Sequence, residues 1–161
     1  FNSVQSGPVV VVMADLSDDL KDIHAMVKLY RDGADIVCGS RYMPGGRQIG
    51  GSFLKKILSR LAGVSLYYGR GIPTHDITNN FKLYDSRVLK DITIESKSGF
   101  SIAMEITIKA FLMGRKIREV PTVWNDRVAG EAKFKLMKCL PQYVRWYFFA
   151  FRPKHVPFSY E

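Results

Sequence analysis

The sequence predicts an α/β protein in which a mostly parallel sheet is flanked by helices. Three observations carry that expectation. "VVVV" (9–12) and "ADIVCGS" (34–40) are short continuous apolar runs, the pattern of strands buried on both faces. These runs alternate with stretches whose apolar residues recur at helical spacing, which argues for α/β layers. The valine run then ends in the carboxylates Asp15, Asp18 and Asp19, at the position where open α/β sheets bind ligands.

Each element follows from the local pattern. After the valine strand, Leu20, Ile23, Val27 and Tyr30 recur at helical spacing, and Gly33 stops that helix. The second buried strand leads into "RYMPGGRQIGG" (41–51), a glycine-rich loop with two arginines and no apolar period. Leu54, Ile57, Leu58 and Leu61 line one face of a helix that also carries Lys55, Lys56 and Arg60. "GRGIPTHDITNNFKLY" (69–84) is a long connection running into a strand. Residues 101–113 are helical, with Glu105 at the centre of an apolar stretch. "KIREVPTVW" (116–124) alternates as a strand, "NDRVAGEAKFK" is a polar loop, and "LPQYVRWYFFAF" is strongly aromatic. The expected division is an α/β body over 1–137 and an aromatic, basic helix and tail over 138–161.

Bulk properties narrow the classes. A chain of 161 residues with 47% hydrophobic side chains suits one domain with a real core and excludes a disordered chain. Cys38 and Cys139 stand far apart with no metal-type spacing, so a buried structural role is expected for both. No secretory leader pattern is visible, and no apolar run reaches the roughly 18 residues needed to span a bilayer. The expectation is therefore a chain on the cytoplasmic side. The net charge is +9, of which +6 falls in the 47 residues from Arg115 onward. That balance suits phosphates, whether of nucleic acid, anionic lipid or a small molecule.

Four stretches lie in a telling order: "VVMADLSDD", "GADIVCGSRYMPGG", "HDITNNFKLYD" and "EVPTVWNDRVAGEAKFK". Together they resemble the successive motifs of the family 2 glycosyltransferases, closest to the dolichyl-phosphate mannose synthase-like, or polyprenyl-phosphate glycosyltransferase, group. The resemblance runs over about residues 8 to 140. It implies a GT-A fold and transfer of a mannose- or glucose-type sugar from a nucleotide-diphosphate sugar to a polyprenyl or dolichyl phosphate, with inversion. It also implies Mg²⁺ or Mn²⁺, held in the family by an Asp-x-Asp at the strand end. Here the triplet is Met13-Ala14-Asp15, so Asp15 is the implied ligand. Asp18 is either a second metal contact or a cap of the following helix.

The same resemblance assigns further residues. Arg41 opens the glycine-rich loop, placed to grip donor or acceptor phosphate, and Arg47 and Ser52 fall in the stretch resembling the family's acceptor loop. "DITNNFK" stands where the family commonly has Asp-x-Thr-Ser-Gly-Phe-Arg; Asp76, Thr78, Asn80 and Lys82 there either face the sugar, as the resemblance implies, or organise the turn into the strand by bonding backbone groups. Arg127, Lys133 and Lys135 match an Arg-x-x-Gly-x-Ser-Lys pattern, with Ala132 for the serine. Glu105, which burial without a partner would make costly, is either a substrate contact or a clamp on a neighbouring loop.

In the last segment, Tyr143, Trp146, Tyr147, Phe149 and Phe151 either complete the core or form an interfacial helix on an anionic membrane. The interfacial reading is preferred, as it places the protein peripherally on the membrane that holds the acceptor. The alternatives are a non-catalytic nucleotide-sugar-binding homologue, favoured by Met13, and a basic nucleic-acid-binding module. The module accounts for charge and aromatics but not for the ordered motifs, so no nucleic-acid partner is expected. In the resembled family the metal-bearing strand follows nucleobase-binding units that have no counterpart before Phe1. A fold incomplete at the N-terminus is therefore expected, with weak nucleotide binding and no transferase activity for these residues alone.

Overall fold

A computed structural model describes residues 6–96, 99–126 and 136–154. Four strands form the main sheet in the order β1 (Pro8–Val11), β4 (Lys82–Asp85), β2 (Ile36–Ser40) and β5 (Ile117–Pro121). Only β2 and β5 run parallel, since β4 is antiparallel to both β1 and β2. The expected mostly parallel sheet is thus a mixed one. The valine run is also not doubly buried: β1 is an edge strand whose residues are half-buried or exposed. Four valines satisfy an edge as well as a centre, because periodicity does not report how many neighbours a strand has.

Strand alternation divides the core in two. Ile36, Cys38, Tyr84 and Ile117 point to one face, where α2 (Phe53–Arg70), α3 (Ser86–Asp91), α4 (Gly99–Leu112) and α5 (Leu136–Phe149) gather around Leu66, Ile106 and Trp146. Val37, Leu83 and Val120 point to the other face, against Met26 of α1 (Ile23–Arg31) and Phe81. Fully burying such a side chain stabilises by about 1.5–3 kcal/mol. The aromatic segment is therefore split by its helical period. Trp146 is 1% exposed and donates through Nε1 to Ser96 Oγ at 2.8 Å, whereas Phe148 is 68% exposed. Trp146 completes the core, and an interfacial role for it is ruled out.

The loop over 41–51 contains one regular piece that its composition hides. β3 (Arg47–Ile49) pairs in parallel with β6 (Val123–Asn125). Ser40 is opposite Pro121 and Arg47 is opposite Val123, so residues 41–46 bulge out against Thr122 alone. Thr122 stitches both ends, its N–H donating to Ser40 O at 3.0 Å and its O accepting from Arg47 N at 2.9 Å. Gly46 is required there, since a Cβ would lie 2.3 Å from Ser40 O. The expected strand over 116–124 is thus two strands, one in each sheet.

The α2 helix departs most from its sequence pattern. Leu54, Ile57, Leu58 and Leu61 do share a side, but that side is exposed, and burial falls instead on Gly63 and Leu66. An apolar stripe ordinarily faces the core. Among the described residues no helix is long and apolar enough to cross a membrane.

Asp85 ties β4 to α3. It caps α3 by accepting from Arg87 N at 2.7 Å, and its carboxylate pairs with the Arg87 guanidinium at 2.8 Å. Hydrogen bonding from Arg87 lowers its pKa from 3.8 to about 2. Asp85→Ala should lower stability at neutral pH by about 1–2 kcal/mol, the range for a lost cap. A depressed folded-state pKa adds stability that is full above 3.8 and lost as pH falls through about 2. Urea unfolding of the two proteins should therefore differ most at neutral pH and converge toward pH 2.

Candidate active site

Where the parallel strands β2 and β5 end, a cavity of about 440 Å³ opens between the chain after β1, the second small sheet and helices α2 and α5. Its lining changes character along its length. Asp15 and Asn80 lie by the chain after β1, Asp126 lies after β6 against Gly51, and Arg41 and Lys55 contribute cationic groups. Leu58, Ala62, Leu140, Val144 and Tyr147 line it between the two helices.

The acidic end is built by a tight turn after β1. Leu16 has φ of 58°, a left-handed conformation that costs a non-glycine residue of order 1 kcal/mol and is held only by its surroundings. Around it, Ser17 N donates to Asp15 Oδ1 at 3.2 Å and Met13 N donates to Asp18 Oδ2 at 3.0 Å. The helical cap is Asp19, which accepts from Lys21 N at 3.0 Å, so Asp18 is not the cap. Asp18 is buried, and its Oδ1 has no hydrogen-bond partner among the described residues. Burial first, and then repulsion from Asp15, push its pKa above the ordinary carboxylate value against the Met13 hydrogen bond. An orphaned, buried carboxylate oxygen beside a second carboxylate fits a divalent cation. Among the described residues no group of three or more His, Cys, Asp or Glu side chains surrounds a metal position. Mg²⁺ is characteristically held by one or two carboxylates plus substrate phosphates.

The basic group beside it is fixed from below. Arg41 Nε donates to Asp76 Oδ2 at 2.6 Å and Nη2 to Oδ1 at 2.9 Å, while Arg41 N reaches Oδ2 at 3.1 Å. Burial opposes the Arg41 charge, but Asp76 outweighs it and the pKa is raised. Asp76 also accepts from Asn79 N at 3.2 Å, and Thr78 Oγ1 bridges Asp76 and Arg41 at 3.3 Å to each. Next to it, His75 donates its backbone N–H to Glu119 Oε2 at 2.8 Å, and its Nδ1 lies 2.6 Å from Oε1. His75 O packs on α2, where a Cβ on Gly63 would come within 2.0 Å of it.

The structure sorts the sequence-predicted residues. Asp15, Arg41, Ser52, Thr78 and Asn80 line the cavity. Asp76 is fully buried beneath Arg41, so it orients the arginine and is not a surface for a sugar hydroxyl. Lys82 is also fully buried, donating to Ile77 O at 2.7 Å and Thr107 Oγ1 at 3.1 Å, and burial lowers its pKa. Glu105 lies away from the cavity, where its carboxylate accepts from Glu95 N at 2.7 Å, Ser96 N at 2.8 Å and Lys109 Nζ at 2.8 Å. Of its two readings, the loop clamp is the one observed. Arg47 lines a different cavity, on the far side of its loop. Arg127, Lys133 and Lys135 lie outside the described residues. Lining residues that the motifs did not single out include Gln48, Lys55, Ser59, Trp124 and Asp126. Trp124 and Asp126 directly precede the basic motif, the one signal that pointed to them.

No family model matches the chain. It is 33% identical over 145 residues to the dolichol-phosphate mannosyltransferase of Pyrococcus furiosus, an alignment covering 87% of this chain and 40% of that protein. It is also 28% identical over 127 residues to the polyprenol monophosphomannose synthase of Mycolicibacterium smegmatis, covering 78% of this chain and 48% of that protein. The chain is thus similar to two curated enzymes named for mannose transfer to dolichol or polyprenol phosphate. It spans less than half the length of either relative. The motifs that resembled this group supply the strand-end carboxylate Asp15 and the arginine that Asp76 holds.

Removing one partner of a buried ion pair leaves an uncompensated charge and costs about 3–5 kcal/mol. Asp76→Ala should therefore lower the unfolding free energy by roughly that amount. Thr78→Ala, which removes long hydrogen bonds only, should cost about 1 kcal/mol or less. Similar urea midpoints for the two variants would show that Asp76 does not hold Arg41.

Proposed function

We propose that this chain forms the catalytic core of an inverting GT-A glycosyltransferase. Its reaction moves a mannose- or glucose-type sugar from a nucleotide-diphosphate sugar to a polyprenyl or dolichyl phosphate. The observation that carries this reading is that one cavity is lined together by the strand-end carboxylate Asp15, the cations Arg41 and Lys55, and apolar side chains of α2 and α5. A sugar diphosphate, an acceptor phosphate and a lipid tail need those three surfaces in that combination.

In this reading an acceptor phosphate oxygen attacks the anomeric carbon as the bond from that carbon to the diphosphate oxygen breaks. No proton has to move, because the phosphate is already ionised. Among the described residues no histidine lines the cavity, and the His75 ring is committed to Glu119. Arg41, pre-oriented by Asp76, positions a phosphate without reorganisation during the reaction, and Lys55 adds a second cation. Asp15 and Asp18 would hold Mg²⁺ or Mn²⁺, which when bound neutralises charge on the leaving diphosphate. In a protein that carries the nucleotide-binding part as well, Asp15→Asn should abolish metal-dependent transfer in a radiolabelled-sugar assay, with little change in circular dichroism. Transfer at the wild-type rate would sink the metal assignment.

The acceptor places the protein peripherally on a membrane, on its cytoplasmic face. Support comes from the exposed stripe of α2, with Leu61 at 61% exposure, and from Phe148 and Phe151 of the adjoining segment. Leu61→Ser with Phe148→Ser should weaken partitioning into anionic vesicles by about tenfold or more. Unchanged flotation of the double variant would remove both side chains from the contact.

A second reading, a non-catalytic homologue, is favoured by Met13, whose side chain lines the cavity where the family has a carboxylate. Metal-dependent hydrolysis of a nucleotide sugar would decide against it.

A further inference from the structure

On the other side of the 41–46 bulge lies a second cavity of about 750 Å³, bounded by Tyr42, Arg47, Lys56, Arg60, Tyr68 and His75. We infer that it is a binding site for the phosphate of an anionic lipid headgroup, separate from the sugar-transfer cavity. The inference rests on the membrane reading above and adds a defined contact to it.

The charges are arranged for an anion. Arg47 comes from β3 and Arg60 from α2, so two elements present guanidinium groups to one space. Neither has an acidic partner in the described structure, and no Asp or Glu lines the cavity. Lys56 approaches Gln48 O at 3.4 Å, which leaves its other two donors for a ligand. Glu119 behind the site is engaged by His75, and Arg41, which borders both cavities, is engaged by Asp76. Guanidinium groups match phosphate oxygens in a two-pronged geometry.

Helical geometry explains why the phosphate belongs to a lipid. Successive residues of α2 are rotated by about 100°. Lys56 and Arg60 each precede a residue of the exposed stripe, Ile57 and Leu61, and so face one flank of it. Leu58 and Ala62 each follow one and face the opposite flank, in the sugar-transfer cavity. With the stripe inserted among acyl chains, Lys56 and Arg60 come to headgroup depth. Tyr68, 77% exposed at the cavity rim, suits the same depth with its apolar ring and polar tip.

The test uses the 161-residue chain and phosphatidylcholine vesicles doped either with phosphatidic acid or with oleate to the same surface potential. Wild type should bind the phosphatidic acid vesicles more tightly. Arg47→Ala with Arg60→Ala should weaken that binding by roughly tenfold or more. Lys21→Ala with Arg31→Ala, which removes the same charge from the opposite side of the sheet, should leave it nearly unchanged. Equal binding to both vesicle types, or equal losses in the two double variants, would mean surface charge alone and overturn the site. Inorganic phosphate should shift the amide resonances of residues 45–47 only at millimolar concentration. Saturation of those shifts at micromolar phosphate would assign the cavity to a free anion and overturn the lipid assignment. Failure of wild type to bind either vesicle would overturn the site together with the membrane reading, whereas the other outcomes leave that reading intact.

Discussion

The buried pair of Arg41 and Asp76 is the constraint on which the rest of the site depends. Asp76 accepts from three donors of Arg41, from a backbone amide of its own turn and from the Thr78 hydroxyl. Such a pair is kept in a low-dielectric setting only if its remaining lone pairs are satisfied, and here they are. The pair joins the end of β2 to the turn before β4, two segments far apart in the sequence. It also fixes the direction of the bulge that separates the two cavities. Behind it, Glu119 and Gly63 hold His75, so that β5 and α2 brace the same turn. Lys82 completes the brace from below through Ile77 O.

The electrostatic plan follows from where these groups are placed. The site does not mix charges evenly. Carboxylates collect in the turn after β1, where a strained Leu16 lets the chain fold back on itself, and cations collect on α2 and the bulge. A low-dielectric cavity between them strengthens both fields. Beside Asp15, the buried Asp18 leaves one carboxylate oxygen without a hydrogen bond among the described residues, which suits a cation at that turn.

Much of this was legible in the sequence, and the failures have physical causes. The fully buried strand β2 and the helix stopped near Gly33 follow from local pattern. Arg41 and Asp15 were found through motif order, and both line the cavity. The mixed direction of the sheet was missed because apolar runs carry no information about strand direction. For Asp76, Lys82 and Glu105 the motif leaves a structural and a substrate-facing role equally open, because polar groups resemble one another until burial is known, and burial decides for the structural role. Lys82 and Glu105 are instead satisfied by backbone groups together with Thr107 and Lys109, which composition does not reveal. The α2 stripe was seen as a face, but the sequence could not say which way it turned.

That outward stripe has a consequence for the protein in water. Ile57, Leu61, Tyr68, Phe148 and Phe151 present apolar surface that attracts another copy of itself at short range. The charge of +9 opposes this at longer range. Ionic strength therefore acts as a dial on colloidal behaviour. Raising salt shortens the repulsion, whose reach is about 10 Å at 0.1 M, and leaves the apolar attraction in place. A chain dispersed in dilute buffer will cluster as salt is added, and a mild detergent that covers the stripe will disperse it again.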